Sequence, residues 1–242
     1  MSSTTKLKNL VVKMHMPFIN IFKIFMYYGL PSRLSRPTAI DVLEQKALES
    51  SAAYIESVGS NAMIFRSRMD LWTFALTQVS IKGIFIEFGV SWGKSINYFA
   101  ERLPKNLKIY GFDSFQGLKE NFTGTGFSTG AFSTGKNLPN VKNNVVLVKG
   151  WFKDTLPLFL MQNNDFFSFI HLDADTYVST KEVLDLVQDR IKSGTIVVFD
   201  EYLGNPNWVN HEYKAWKEFV FKFNISYDYI AFSPQSAVIR VI

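Results

Sequence analysis

The chain has 242 residues, 47% hydrophobic and 19% charged, with 23 Phe, 10 Tyr and 5 Trp, which excludes a peptide or a disordered segment and suffices for one large domain. The absence of cysteine excludes disulfides, thiolate metal sites and cysteine nucleophiles, leaves oxygen or imidazole as the only metal donors, and sets a reducing, cytoplasmic location as the expectation. Lys6, Lys8, Lys13, Lys23, Arg33 and Arg36 lie in residues 1–37 without an acid and exceed the net charge of +5 by one, so the other 205 residues sum to −1, which argues against nucleic acid as a partner.

Residues 9–30 are apolar and aromatic, but Lys13, His15, Pro17, Asn20 and Lys23 interrupt them, leaving no run of the ~20 residues that a bilayer span needs. No small-residue cleavage site follows, so a signal peptide is not expected either. Two readings remain for this segment. It lies on a membrane surface or against an anionic lipid-linked substrate, or it packs as a helix on the domain or on a second subunit. The second is preferred, and a homo-oligomer is the expectation. Val42, Leu43, Ala47, Leu48, Ala52 and Ile55 recur at helical spacing before Gly59, and a second helix is expected over 61–79. Residues 1–80 thus read as a basic segment and helices packed on a core domain of 81–242.

From there short apolar runs alternate with amphipathic helices. Strands are expected at 83–88, 108–112, 145–148, 166–172 and 195–199, and their continuous apolar character suits parallel strands buried on both faces. Helices are expected at 94–103, 155–162, 180–191 and 212–223, followed by strands 227–232 and 237–241, which pair as a hairpin around Ser233, Pro234 and Gln235. The Gly-rich stretch 123–135 reads as a long loop and a candidate lid. The class is α/β, with the order strand, helix, strand throughout.

In such sheets ligands sit beyond the carboxyl ends of the strands. Gly89 and Gly93, in the turn after the first strand, let a ligand approach the backbone and present a helix N-terminus to an anionic group. Asp113 ends the second strand, where an acid commonly binds ribose hydroxyls; alternatively it is a turn residue. Asp173 and Asp175 end one strand, and Asp200 and Glu201 end the next. Carboxylates packed this closely share protons or hold a hard cation, for which Mg²⁺ fits better than zinc. Asp175 has a second reading as the cap of the following helix.

Four stretches in order, residues 112–118 (FDSFQGL), 150–157 (GWFKDTLP), 171–180 (HLDADTYVST) and 198–202 (VFDEY), resemble the macrocin O-methyltransferase family, class I S-adenosylmethionine-dependent enzymes that methylate sugar hydroxyls of macrolides and related glycosides. The resemblance covers residues 82–242. It implies a Rossmann-like sheet of seven strands with an antiparallel last strand. It also implies a cofactor site at Glu87, Gly89, Gly93, Asp113, Ser114, Gly150 and Trp151, and a metal site at Asp173, Asp200 and Glu201. The family has a second aspartate where this chain has Glu201. The expected chemistry is transfer of a methyl group from S-adenosylmethionine to a sugar or glycoside hydroxyl, the hydroxyl held by a divalent ion and its proton taken by Asp175 or His211. Tyr202, Trp208 and Tyr213 are candidates for stacking on a sugar ring. The competing expectations are an NAD-dependent sugar-modifying enzyme and a non-catalytic nucleotide-binding protein on the same sheet.

Overall fold

The computed structural model describes residues 37–242; the expectations placed on the basic segment, membrane contact and subunit packing included, lie outside the described residues. By internal packing the chain divides into residues 1–45 and 46–242, and the sheet and the cleft belong wholly to the second unit. Among the described residues no helix is long and apolar enough to cross a membrane.

The first helix, α1 (Ala39–Val58), is opened by a reciprocal cap. The Thr38 hydroxyl accepts from the Asp41 backbone N–H at 3.3 Å, and the Asp41 carboxylate accepts from the Thr38 N–H at 2.7 Å. Next come β1 (Met63–Ile64) and α2 (Arg68–Thr77), so the helix expected over 61–79 forms only in its second half. Ser67 decides the start. It is extended (φ −117°, ψ 131°) and its hydroxyl accepts from the Met69 N–H at 3.2 Å, which makes it an N-cap and not a helical residue. The residues before it are drawn to the sheet edge instead, where the Phe65 N–H donates to the Phe232 carbonyl at 2.8 Å.

The remaining elements follow the expected order: β2 (Ile84–Phe88), α3 (Lys94–Arg102), β3 (Ile109–Asp113), β4 (Val145–Lys149), α4 (Phe152–Gln162), β5 (Phe167–Leu172), α5 (Tyr177–Val187), β6 (Ile196–Phe199), α6 (Glu212–Phe223), β7 (Tyr227–Phe232) and β8 (Ala237–Val241). The sheet order is β1-β7-β8-β6-β5-β2-β3-β4. Only β8 runs antiparallel to its neighbours. The sheet has eight strands where seven were expected, because β1 adds to β7 in parallel register, Met63 opposite Ala231. The hairpin of β7 and β8 forms as read, with the Ser233 N–H on the Ser236 carbonyl at 2.9 Å.

Alternation along the strands builds two cores. Ile86, Phe88, Leu172, Val197 and Phe199 face α4, α5 and α6 through Leu156, Val183, Leu184 and Trp216. Phe85, Phe169, Ile196 and Val198 face α2 and α3 through Leu71, Trp72, Ile96 and Phe99. Each buried Phe contributes about 2 kcal/mol relative to exposure. With helices on both faces, the exposed rim of the sheet is its carboxyl edge. Strand order reverses beside β2, whose neighbours are β3 and β5, and the crevice opens at that point.

Candidate active site

The turn from β2 into α3 is built around glycine. Gly89 has φ +90°, and a Cβ there would lie 1.8 Å from the Asp173 carbonyl oxygen, so no side chain fits. Gly93 has φ +78° at the N-cap of α3. The Asp113 carboxylate fastens this turn to the end of β3: Oδ2 accepts from the Val90 and Ser91 N–H groups at 2.9 and 2.7 Å, and Oδ1 accepts from the Phe115 N–H at 2.6 Å. Asp113 is thus a turn residue, and three bonds leave about one of its four acceptor sites open to a further donor. Gly89, Asp113, Ser114, Gly150 and Trp151 line one cleft. Gly150 follows β4 with its N–H on the Asp113 carbonyl at 2.9 Å, and the Trp151 ring lies 5.0 Å from Lys119 Nζ, which is itself held by both Glu182 oxygens at 2.8 Å.

Two of the expected cofactor residues do not line the cleft. Gly93 shapes the turn from behind. Glu87 is fully buried and accepts from the Ser95 hydroxyl at 3.1 Å, with His171 Nδ1 at 3.0 Å from its other oxygen. Parallel register of β2 and β5 sets Glu87 directly against His171.

The acids at the ends of β5 and β6 do converge: Asp173, Asp175, Asp200 and Glu201 line the same cleft, with Arg68 from the first turn of α2. Asp200 is the acid held by cations. Its Oδ2 takes the Arg68 guanidinium at 2.7 Å, and its Oδ1 lies 3.7 Å from His171 Nε2, an ion pair too long for a hydrogen bond. Burial alone would raise the Asp200 pKa, but His171 and Arg68 together hold it below the ordinary carboxylate value. Burial works against a charged His171, yet Asp200 and Glu87 overcome it and hold the imidazolium up to about 10. The result is a line of paired groups, Glu87, His171, Asp200 and Arg68, running from beneath the turn to the cleft wall; burial raises the Glu87 carboxyl above its usual value, against the pull of His171 and Ser95.

The other acids carry no hydrogen bond from a described residue to their carboxyl groups. Burial, the Asp200 charge and the Asp113 charge push Asp175 up to about 7. Burial and the charges of Asp200 and Asp175 push Glu201 up to about 8, and Asp173 rises well above its usual range for the same reasons. Asp175 sits at φ +59°, in the left-handed region. It does not cap α5, whose N-cap is Thr176 without a side-chain bond; its carboxyl faces the cleft instead.

His211 is not brought to the cleft. It is buried under the 123–135 loop, its Nε2 2.8 Å from the Thr123 carbonyl oxygen and 3.2 Å from Asn207 Nδ2. It pins the loop, which folds back on itself through the Gly130 N–H on the Leu118 carbonyl and offers Phe132 to the cleft. Tyr202 and Trp208 are buried in the core against the partly buried Tyr54 and Tyr213, and none of the four lines the cleft. Arg68, His171 and Glu212 were not anticipated. Glu212 is fully buried and accepts from the Glu201 N–H at 3.1 Å. A fit to a divalent ion fails on Asp200. Among the described residues no three acidic or imidazole groups are arranged to hold a metal, and a guanidinium 4 Å from such an ion would repel it by about 4 kcal/mol per unit of ionic charge at an effective dielectric of 20.

A family of methyltransferase domains matches residues 86–202, from β2 through the acids of the cleft. That match spans 117 of the 242 residues and marks a likeness to methyltransferase domains. Solved structures share this fold. The calicheamicin methyltransferase CalS11 is 22% identical with a TM-score of 0.60 over 88% of this chain and 97% of that chain. An apo structure of CalS11, described as a TDP-rhamnose 3'-O-methyltransferase, is 24% identical with a TM-score of 0.52, and the O-methyltransferase NovP is 23% identical with a TM-score of 0.56, each over 72% of this chain and 78% of that chain. Comparison with curated proteins gives no match. The sheet thus has the fold of class I methyltransferases, with one strand added at its edge.

Proposed function

We propose that this domain transfers the methyl group of S-adenosylmethionine to a hydroxyl of a sugar or glycosylated small molecule, as its resemblance to macrocin O-methyltransferases implies. The observation that carries the reading is Asp175: an acid whose carboxyl takes no hydrogen bond from a described residue, held at positive φ in the same cleft as the glycine turn and Asp113. When bound, the cofactor supplies a methyl carbon already activated by its sulfonium, and its sulfur keeps the carbon–sulfur electron pair when the bond breaks. The protein's part is to aim an oxygen and take its proton. Asp113 and the turn it fastens hold the nucleoside, Trp151 and Gly150 flank the base, and Gly89 gives the methionine end room. Asp173 and Glu201 accept hydrogen bonds from acceptor hydroxyls. Asp175, poised near neutrality, takes the proton of the attacking hydroxyl as the oxygen–methyl bond forms. The sugar acceptor is supported by the solved structures of like fold, two of them described as acting on calicheamicin or TDP-rhamnose. Divalent-metal assistance finds Asp200 committed to Arg68, and no step here runs through it.

Calorimetric titration with S-adenosylhomocysteine, followed by transfer of tritiated methyl from S-adenosylmethionine to a panel of nucleotide sugars and glycosides, tests this. Binding lost in Asp113→Ala, and label on a sugar, are expected. A wild-type protein that binds no S-adenosylhomocysteine refutes the reading.

A further inference from the structure

The cleft already contains a cation where the acids meet. Arg68 occupies the first position of α2, where the positive end of the helix dipole disfavours a cation. Helix stability therefore gives no reason for an arginine there. What holds it is Asp200 at 2.7 Å and the Trp72 ring one turn on, 5.2 Å from the guanidinium carbon. The side chain nevertheless stays 45% exposed and lines the cleft beside Asp173, Asp175 and Glu201. One N–H of the guanidinium fork is committed to Asp200, and the others carry no hydrogen bond to a described residue. Lys119, the other cation of the cleft, is neutralised by both oxygens of Glu182.

We propose that the Arg68 guanidinium takes the place of a divalent ion in this site: fixed by Asp200, it donates N–H to the acceptor oxygen and makes methyl transfer independent of metal. The proposal rests on the O-methyltransferase reading. An arginine suits the task because it keeps its charge at any working pH and offers several donors in one plane. It neither gains nor loses a proton in the step. The proton of the attacking hydroxyl goes to Asp175, and the guanidinium stabilises the oxygen while its negative character grows. The buried His171–Glu87 pair behind Asp200 fixes the carboxylate that aims the fork, so the line of paired groups is a positioning device that ends on the acceptor.

Electron paramagnetic resonance of Mn²⁺ titrated onto the full-length protein tests the site without needing the acceptor. Wild type and Arg68→Lys, which keeps the charge, should bind no Mn²⁺ up to about 1 mM, the weak end of protein sites for hard cations. Arg68→Ala frees Asp200 and should bind at least about tenfold more tightly, and Arg68→Ala/Asp200→Asn should lose that binding again. Circular dichroism and S-adenosylhomocysteine titration of each variant establish that the fold and the nucleoside site are intact. Mn²⁺ bound to wild type below that concentration, or none bound to a folded Arg68→Ala, overturns the proposal. In the tritium assay, wild-type turnover should be unchanged by EDTA, whereas Arg68→Ala should lose about a hundredfold or more; turnover abolished by EDTA also overturns it. Failure of S-adenosylhomocysteine to bind wild type would instead strike the underlying reading, and the Mn²⁺ result would still decide whether Arg68 excludes a cation.

Discussion

At the scale of single residues, the acid most exposed to competing demands is Asp175. A left-handed backbone at a non-glycine residue stores about 1–3 kcal/mol, and burial beside Asp200 disfavours its charge. Neither penalty helps the fold, and both serve a base: the conformation turns the carboxyl into the cleft, and the raised pKa matches the working range. Asn tolerates the same backbone and removes only the charge. In Asp175→Asn, methyl transfer should fall about 10²–10⁴-fold. In wild type, kcat/KM should climb with pH through about 7 as the carboxyl ionises, and the variant should lack that limb. The stability effect has the opposite sign. The folded state holds the Asp175 proton more tightly than the unfolded chain does, so ionisation destabilises it as pH rises from the ordinary aspartate range to about 7. Asp175→Asn should therefore melt higher than wild type at pH 8 and level with it near pH 3. A rate profile that is flat through neutrality in wild type would remove Asp175 from the role of base.

At the scale of elements, strand register does what sequence order hides. Glu87 and His171 are 84 residues apart, and parallel pairing of β2 with β5 sets them side by side. The sequence marks both only as polar interruptions in apolar runs; Glu87 stands as a cofactor residue through the resemblance alone, and His171 has no role there. The start of α2 was misplaced for a related reason: apolar spacing over 61–79 is helical, but β7 offers an open edge and Ser67 an N-cap, and together these outweigh propensity. Arg68 thereby moves from mid-helix to a helix start at the cleft. Removing one member of a buried charged set leaves the rest uncompensated. His171→Leu should cost about 3–5 kcal/mol in urea denaturation. Adding Glu87→Gln should recover part of that loss, because the orphaned carboxyl goes with it. A loss in the double variant equal to the sum of the losses in His171→Leu and Glu87→Gln would show that Glu87 and His171 are not coupled in the folded state.

At the scale of the whole molecule, the sheet was legible because each buried parallel strand is a continuous apolar run and the chain alternates strand and helix from residue 83 onward. The acids were legible because they end those runs. His211 was not, since nothing in the sequence tells which of two loops packs over an imidazole, and here it is the 123–135 loop. The pairing of Arg68 with Asp200 spans 132 residues and two elements that meet only in the fold. The same charge arrangement sets how the molecule responds to pH. Burial and Asp200 raise the carboxyls of Asp175 and Glu201, so their ionisation removes stability between the ordinary carboxylate range and about 8. His171 is held as an imidazolium to about 10, so its contribution is complete below the ordinary imidazole pKa of about 6.5 and is lost as pH rises through about 10. Both effects point the same way. The opposing groups are Asp200, Asp185 and Glu101, whose lowered values withdraw stability only as pH falls below the ordinary carboxylate range. Stability should therefore peak near pH 5 and decline toward pH 9, on the acid side of the usual optimum between about pH 5 and 8. Urea midpoints measured from pH 4 to 9 should show that decline. The double variant Asp175→Asn/Glu201→Gln should make the decline shallower between the ordinary carboxylate range and about pH 8, while leaving the fall through His171 that begins near pH 6.5. A wild-type optimum at pH 8 would mean that the acids of the cleft are already ionised and solvated there, and the proton-holding cluster would have to be abandoned.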